Sequence, residues 1–151
     1  MNRRMSACIL VTAGLILAAA CDDDVTGPSF TPQVIALSAV DGTPPPATVE
    51  EAPGYLRTWI ADTIRIEADG RWTRRQILEF TTPTAGPTAL DWASDGTVER
   101  FEGELVLSFE CNDTASCVAP DRLVPQPYGY SIEWPTGDEI LIFRYGIVSE
   151  G

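Results

Sequence analysis

Apolar and polar residues alternate along much of the chain after residue 33, with the period of two that is typical of half-buried β-strands. In the segment GYLRTWIADTIRIEADG the apolar residues share one parity, namely Leu56, Ile60, Ile64 and Ile66. The segment YGYSIEW alternates in the same way, and DEILIFRYGIV is apolar on both parities. Because this region contains no convincing helical period, the pattern predicts an all-β domain of short strands.

Turn residues separate these strands at short intervals. The Asp-Gly pair in ADGRW predicts a hairpin between the first strand above and RWTRRQILEF. A second Asp-Gly pair in SDGTVERF predicts another turn, and FEGELVLSF predicts a third hairpin around Gly103. With QVIALSAV near the start, the chain has seven or eight predicted strands. Consecutive hairpins indicate an antiparallel up-and-down meander, which removes its edges by closing into a small barrel.

The first twenty residues have a different pattern. Two arginines in MNRR precede an apolar run that ends in LAAAC at Cys21, the order typical of a secretory signal. The run is shorter than the roughly 20 apolar residues of a membrane-spanning helix. LAAAC resembles the lipobox of bacterial lipoproteins, although Ala18 stands where leucine is usual. The resemblance implies cleavage before Cys21 and acylation of Cys21. Ordinary secretion with a free cysteine and an uncleaved anchor are the alternatives.

Three segments follow from these patterns: a signal peptide over residues 1–20, a lipidated cysteine with a polar tether over 21–32, and a barrel domain over 33–151. Acyl chains on Cys21 predict attachment to a bacterial membrane, with the domain facing the periplasm or the exterior. Cleavage leaves 131 of the 151 residues and changes the formal net charge from −12 to −14. A chain this acidic is unsuited to nucleic acid, which needs a basic surface. The charge favours solubility of an exported domain.

Two cysteines remain in the predicted domain, Cys111 and Cys117 in FECNDTASCVAP. Cysteines separated by a short polar loop in an exported protein are typical of a local disulfide. A redox pair usually has a two-residue spacing at the start of a helix. A zinc site lacks further ligands here, since the chain contains no histidine. The sequence therefore predicts a structural disulfide.

Several segments resemble the lipocalin-like domains of bacterial lipoproteins, namely VIALSAVDGTPPPATV, DTIRIEADGRWTRRQ, GELVLSFE and DEILIFRY. The resemblance covers most of the predicted domain and implies an up-and-down barrel with a cavity. GRW at residues 70–72 is similar to the Gly-x-Trp motif of lipocalins. In lipocalins that motif lies on the first barrel strand, whereas here it follows a hairpin, so we expect Trp72 to be a core residue.

The strand RWTRRQILEF poses a question about two polar residues. Arg74 and Gln76 share the parity of Trp72, so a regular strand points a cation and an amide into the barrel. An unpaired buried charge is costly, and therefore a ligand carboxylate or an internal acid must meet Arg74. The favoured interpretation is a bulge near Gln76, or a position at the rim, which keeps Arg74 out of the core. Arg144, between two aromatic residues of the last strand, poses the same question.

The residue types argue against catalysis. Without histidine and lysine there is no Ser-His or Cys-His pair, no Schiff base and no serine-lysine dyad. Glu102 and Glu104 flank a turn glycine, where carboxylates are usually solvated. Asp91 and Asp95 lack the other ligands of a calcium loop, and we expect a hairpin turn there. The sequence predicts no metal site, no cofactor and no enzymatic activity.

Two functions remain open. The first is a lipid-anchored module that binds a small apolar or amphipathic ligand inside the barrel. Its candidate lining residues are Trp59, Trp72, Arg74, Phe109, Tyr128, Tyr130, Trp134 and Arg144. The second is a packed barrel that acts as a structural or protein-interaction module of the cell envelope. A void of about 300 Å³ or more distinguishes the first from the second, and the sequence leaves the oligomeric state open.

Overall fold

The computed structural model describes residues 29–110, 119–136 and 139–148. Cys21, Cys111 and Cys117 lie outside these ranges, so lipid attachment and the disulfide stay predictions. The described residues form nine strands: β1 Gln33–Val40, β2 Ala47–Ala52, β3 Tyr55–Ile66, β4 Arg71–Thr82, β5 Ala85–Phe101, β6 Glu104–Phe109, β7 Asp121–Gln126, β8 Gly129–Thr136 and β9 Glu139–Val148. Within these ranges, no helix is long and apolar enough to span a membrane.

The strands form a single antiparallel sheet in which each strand from β3 to β8 pairs with the next one along the chain. β1 pairs with β9 on one side and with β3 on the other, which closes eight strands into a barrel. The remaining strand, β2, extends the sheet along the first half of β3. The predicted all-β up-and-down barrel is therefore confirmed, with one additional strand outside the closed ring.

The hairpin predicted at ADGRW joins β3 to β4. Gly70 has a φ of +80°, which glycine adopts without steric cost. The Asp69 carboxylate accepts a hydrogen bond of 3.0 Å from the Arg71 backbone N–H, a local contact that favours the turn. The hairpin predicted around Gly103 is also present, between β5 and β6. Local turn chemistry fixes both connections.

The turn predicted at Asp95 and Gly96 is wrong. Both residues lie within β5, and the chain reverses between Thr82 and Ala85 instead. Gly96 is required there for space, since an added Cβ would lie 1.9 Å from the Ser108 carbonyl oxygen and 3.0 Å from the Trp72 indole nitrogen. At this position the glycine permits a close approach between two strands. The Asp-Gly sequence alone does not distinguish such an approach from a hairpin turn.

Two strands, β2 and β7, were not predicted from the sequence. β2 follows the proline-rich turn, which includes a cis bond between Pro45 and Pro46, and its mostly exposed residues give little alternation. β7 contains Pro125, and its signal is weak because proline usually argues against a strand in the interior of a sheet. Both strands are recognised from their pairing with neighbours and not from local composition.

The bulge expected near Gln76 lies instead on the neighbouring strand. The pairing of β3 with β4 shifts register between Trp59 and Ala61, and Ile60 is consequently exposed. β4 keeps a regular alternation at this point and directs Arg74 into the barrel, where the side chain is 4% exposed. The preferred interpretation of Arg74 as a rim or bulge residue is therefore wrong, because the irregularity is taken up by β3.

The barrel interior is packed. Its core consists mainly of aliphatic side chains from all parts of the sheet, together with Trp59, Trp72, Phe143 and Tyr145. Phe30, within the predicted tether, is also buried, and its N–H donates to the Ala68 carbonyl at the β3–β4 end of the barrel. Phe30 thereby closes one end of the barrel.

Candidate functional site

The interior opens at the other end of the barrel as a concave space of about 250 Å³, which we call the cup. It lies at the start of β3 and the end of β4, opposite the end that Phe30 closes. Its lining residues are Arg57, Trp59, Arg74, Gln76, Leu78, Phe80, Trp92, Trp134 and Phe143. This volume does not reach the roughly 300 Å³ set above as the mark of a ligand-binding barrel. The cup therefore suits only a small molecule.

Aromatic rings form most of the cup wall. Phe143 lies at its centre, with its ring centroid 5.0 Å from that of Trp59 and 6.2 Å from that of Trp134. Trp92 lies on the part of β5 that extends beyond β6, and it is 56% exposed. Edge-on and tilted contacts of this kind hold rings in place. The cup is therefore a fixed aromatic wall with one exposed tryptophan at its mouth.

The floor of the cup is a buried polar cluster around Arg74. The guanidinium donates to both oxygens of Asp62, with the shortest contact 2.6 Å from Nη2 to Oδ2. It also donates to Asp121 at 2.6 Å and to the Tyr145 hydroxyl at 2.9 Å. Asp62 accepts further hydrogen bonds from Tyr145 at 2.7 Å and from Gln76 at 3.2 Å. We call Asp62, Arg74, Asp121 and Tyr145 the floor cluster.

The floor cluster answers the question raised by Arg74. Internal acids from β3 and β7 meet the buried cation, so its charge is balanced without any ligand. A buried ion pair is tolerated only when its remaining donors and acceptors are also satisfied, and Tyr145 and Gln76 supply those contacts. All three guanidinium nitrogens of Arg74 thus donate to groups of the protein itself. The side chain therefore has no free edge with which to bind an acidic ligand.

The floor cluster shifts the pKa values of three of its members. Burial lowers the pKa of the Arg74 guanidinium, but Tyr145, Asp62 and Asp121 outweigh it, so the pKa is raised and the cation persists. Burial raises the pKa of the Asp121 carboxyl, against the opposing effect of Arg74. Burial also raises the pKa of the Tyr145 hydroxyl well above 10, again against Arg74. Tyr145 therefore stays neutral and keeps its proton on the bond to Asp62.

Tyr145 makes the stability sensitive to alkaline pH. Because its pKa is higher in the folded chain than in the unfolded chain, the folded state holds the proton more tightly, and the free energy of unfolding falls as the pH rises above about 10. We expect Tyr145→Phe to reduce this slope, measured by urea unfolding between about pH 8 and pH 11. Tyr128→Phe, at a side chain that is 91% exposed, is the control and should keep the original slope. Identical slopes for the wild type and Tyr145→Phe would contradict this role.

At the mouth of the cup, Arg57 is paired with an acid. Its Nη2 lies 2.9 Å from Oε1 of Glu51, and both side chains are partly exposed. Its Cζ lies 4.9 Å from the Phe80 ring centroid and 5.4 Å from that of Trp59, so the guanidinium stacks on the aromatic wall. Its Nε is buried and has no hydrogen-bond partner among the described residues.

The structure separates the predicted lining residues into three groups. Trp59, Arg74 and Trp134 line the cup. Trp72 and Phe109 pack edge to face at the closed end, where the Trp72 indole donates to the Thr97 and Ser108 carbonyls. Tyr128, Tyr130 and Arg144 border a surface depression near the β7–β8 turn.

The residues of the last two groups do not line the cup, so the prediction that they contact a ligand there is wrong. Trp72 and Phe109 lie on the far side of the floor cluster from the cup, because each points into the narrow closed end. Tyr130 bonds to Gln33 at that same end, and Arg144 faces outward from β9 since Phe143 and Tyr145 take the inward positions. A shared parity places residues on one face of the sheet but does not tell at which height of the barrel they lie.

The acidic residues considered for catalysis or calcium have other surroundings. Asp91 pairs with Arg75 on the outer surface of the β4–β5 hairpin, and Glu104 pairs with Arg122. Glu102 lies in the β5–β6 turn with a φ of +52°. Among the described residues no group of three acidic, cysteine or histidine side chains could hold a metal ion.

Four site residues were not predicted from the sequence, namely Arg57, Asp62, Asp121 and Tyr145. For Asp62 a signal existed, because it shares the inward parity of Ile64 and Ile66, which follow it by two and four residues. Tyr145 carried the same kind of signal on β9. Asp121 had none, since β7 itself was not predicted.

Comparison with protein-family models, with curated proteins and with solved structures finds no match to this chain.

Proposed function

We propose that this chain is an exported, lipid-anchored barrel that binds a small amphipathic molecule in the cup. The observation that carries the proposal is the aromatic cup itself, a concave space of about 250 Å³ at one end of an otherwise packed barrel. Concave, mostly apolar sites with a few polar groups are the usual form of small-molecule sites. The floor cluster limits the depth of entry, so the ligand lies between the aromatic wall and the mouth.

The position of the cup agrees with anchoring at Cys21. Phe30 is held at the closed end of the barrel, where the first described range begins. The cup opens at the opposite end. A lipid anchor at Cys21 leaves the cup accessible to molecules in the surrounding aqueous space.

A second candidate function is a packed structural or interaction module of the cell envelope. The packed core and the self-contained floor cluster favour it, because the barrel needs no ligand to satisfy its buried charge. The two candidates differ in one measurable property. The binding module takes up a small molecule saturably at the cup, and the structural module does not.

Binding at the cup can be measured with N-phenylnaphthylamine, an uncharged probe whose emission rises in apolar surroundings. We expect saturable enhancement when it is added to the full chain held in lipid nanodiscs, after subtraction of the signal from empty nanodiscs. Trp92→Ala removes the exposed ring at the mouth and is expected to weaken binding by about tenfold, since truncation of such an aromatic residue typically costs more than 1 kcal/mol.

The control is Tyr128→Ala, which removes a strongly exposed aromatic ring outside the cup. It is expected to leave the affinity unchanged. Absence of saturation, or equal losses in Trp92→Ala and Tyr128→Ala, would reject the cup as a binding site and favour the structural module.

The anchor is tested separately with Cys21→Ser. We expect this variant to take up no palmitate in metabolic labelling and to lose its partition into detergent, because acylation at Cys21 is the proposed membrane contact. The matched control is Cys8→Ser, within the predicted signal peptide, which is expected to label normally. Palmitate labelling that persists in Cys21→Ser would contradict lipid attachment at this residue.

A further inference from the structure

The cations at the cup are all matched by acids. Arg74 is bonded to Asp62 and Asp121 at the floor. Arg57 is bonded to Glu51 at the mouth. An entering carboxylate would therefore compete with an acid already in place, or lose its hydration without gaining a partner. The net charge of −12 adds a repulsion of longer range.

The polar contact that remains is neutral in character. Gln76 lines the cup, and its amide Nε2 donates to Asp62 at 3.2 Å. The amide has a second N–H, from which a carbonyl or hydroxyl oxygen could accept a hydrogen bond without bringing a charge into the cup. The rings of Trp59, Trp134 and Phe143 provide flat apolar contacts for the rest of such a molecule.

We propose that the cup selects an uncharged, ring-containing molecule with a carbonyl or hydroxyl oxygen, and discriminates against carboxylates of the same shape. This inference rests on the proposed function and adds the chemical class of the ligand. It assigns to Glu51 the role of a specificity-determining residue, because Glu51 neutralises the one arginine that an anionic ligand could reach.

The test uses two probes with the same two-ring body, methyl naphthyl ketone and naphthoate. Each is titrated calorimetrically into the full chain in lipid nanodiscs, with the heat of empty nanodiscs subtracted. We expect the ketone to bind at least about tenfold more tightly than naphthoate, since the carboxylate loses hydration without gaining a partner. Tighter or equal binding of naphthoate would overturn the inference while leaving the proposed function intact.

The variant Glu51→Gln sharpens the test at a partly exposed position. It frees the Arg57 cation, so naphthoate is expected to gain about tenfold in affinity while the ketone changes little. Glu50→Gln, at the preceding residue, is the matched control and should leave the affinities for both probes as they are. An unchanged affinity for naphthoate in Glu51→Gln would overturn the role of Glu51. Failure of both probes to bind the wild type would reject the proposed function and this inference with it.

Discussion

Replacement of Arg74 by methionine is expected to lower the free energy of unfolding by about 3 to 5 kcal/mol, because it leaves the buried Asp62 carboxylate without its cation. Methionine keeps much of the side-chain volume, so the loss reports the charge and not a large cavity. Asp62 and Asp121 would then lie near each other without compensation, and Tyr145 would lose the donor to its hydroxyl. Urea unfolding followed by circular dichroism measures the change.

The neighbouring residue supplies the control. Arg75 forms a similar bidentate pair with Asp91, but that pair lies on the outer surface. Arg75→Met is therefore expected to change the stability little, since exposed pairs are screened by water. A combined Asp62→Leu and Arg74→Met variant should recover part of the loss, because an apolar pair avoids the unpaired charge. Similar stabilities for Arg74→Met and Arg75→Met would show that the floor cluster does not stabilise the fold.

Truncation of Trp72 to alanine is expected to cost about 3 to 5 kcal/mol, the range for large aromatic side chains in a packed core. Trp72 is 1% exposed and contacts Phe109 with ring centroids 5.0 Å apart. Its indole also donates to the Thr97 and Ser108 carbonyls, which would lose this donor. Thermal and urea unfolding measure the effect, and near-ultraviolet circular dichroism reports whether the remaining core keeps its packing.

Trp92→Ala is the comparison for Trp72→Ala. Both changes remove the same side chain, but Trp92 lies exposed at the mouth of the cup. We expect Trp92→Ala to change the stability only slightly while weakening probe binding, and Trp72→Ala to do the reverse. Equal destabilisation by the two substitutions would contradict the separation between the packed end and the cup.

The local parts of the fold were accessible from the sequence. Alternation and the Asp69–Gly70 turn predicted β3, β4 and the hairpin between them. That hairpin pairs Ile66 with Trp72 and Ile64 with Arg74. Continued by two residues, the same register brings Asp62 opposite Gln76 and beside Arg74. The acid that neutralises Arg74 was therefore predictable in principle, because it depends on a turn and a parity that are both local.

Other features depend on contacts between distant parts of the chain. A bulge on β3 or on β4 exposes one residue of that strand to solvent. In the structure the exposed residue is Ile60 of β3. Arg74 of β4 stays inside because Asp62, Asp121 and Tyr145 all bond to its guanidinium. Asp121 and Tyr145 come from β7 and β9, and only closure of the barrel brings them to β4.

The sequence by itself determined the strand content, two of the hairpins and the antiparallel meander, because alternation and turn residues act over a few neighbouring positions. Tertiary structure alone decided the height of each inward residue along the barrel axis. Arg74 and Trp72 have the same parity, yet one lies at the floor of the cup and the other at the closed end. Register across closed strands sets that height, and it is fixed by pairing between residues far apart in the chain.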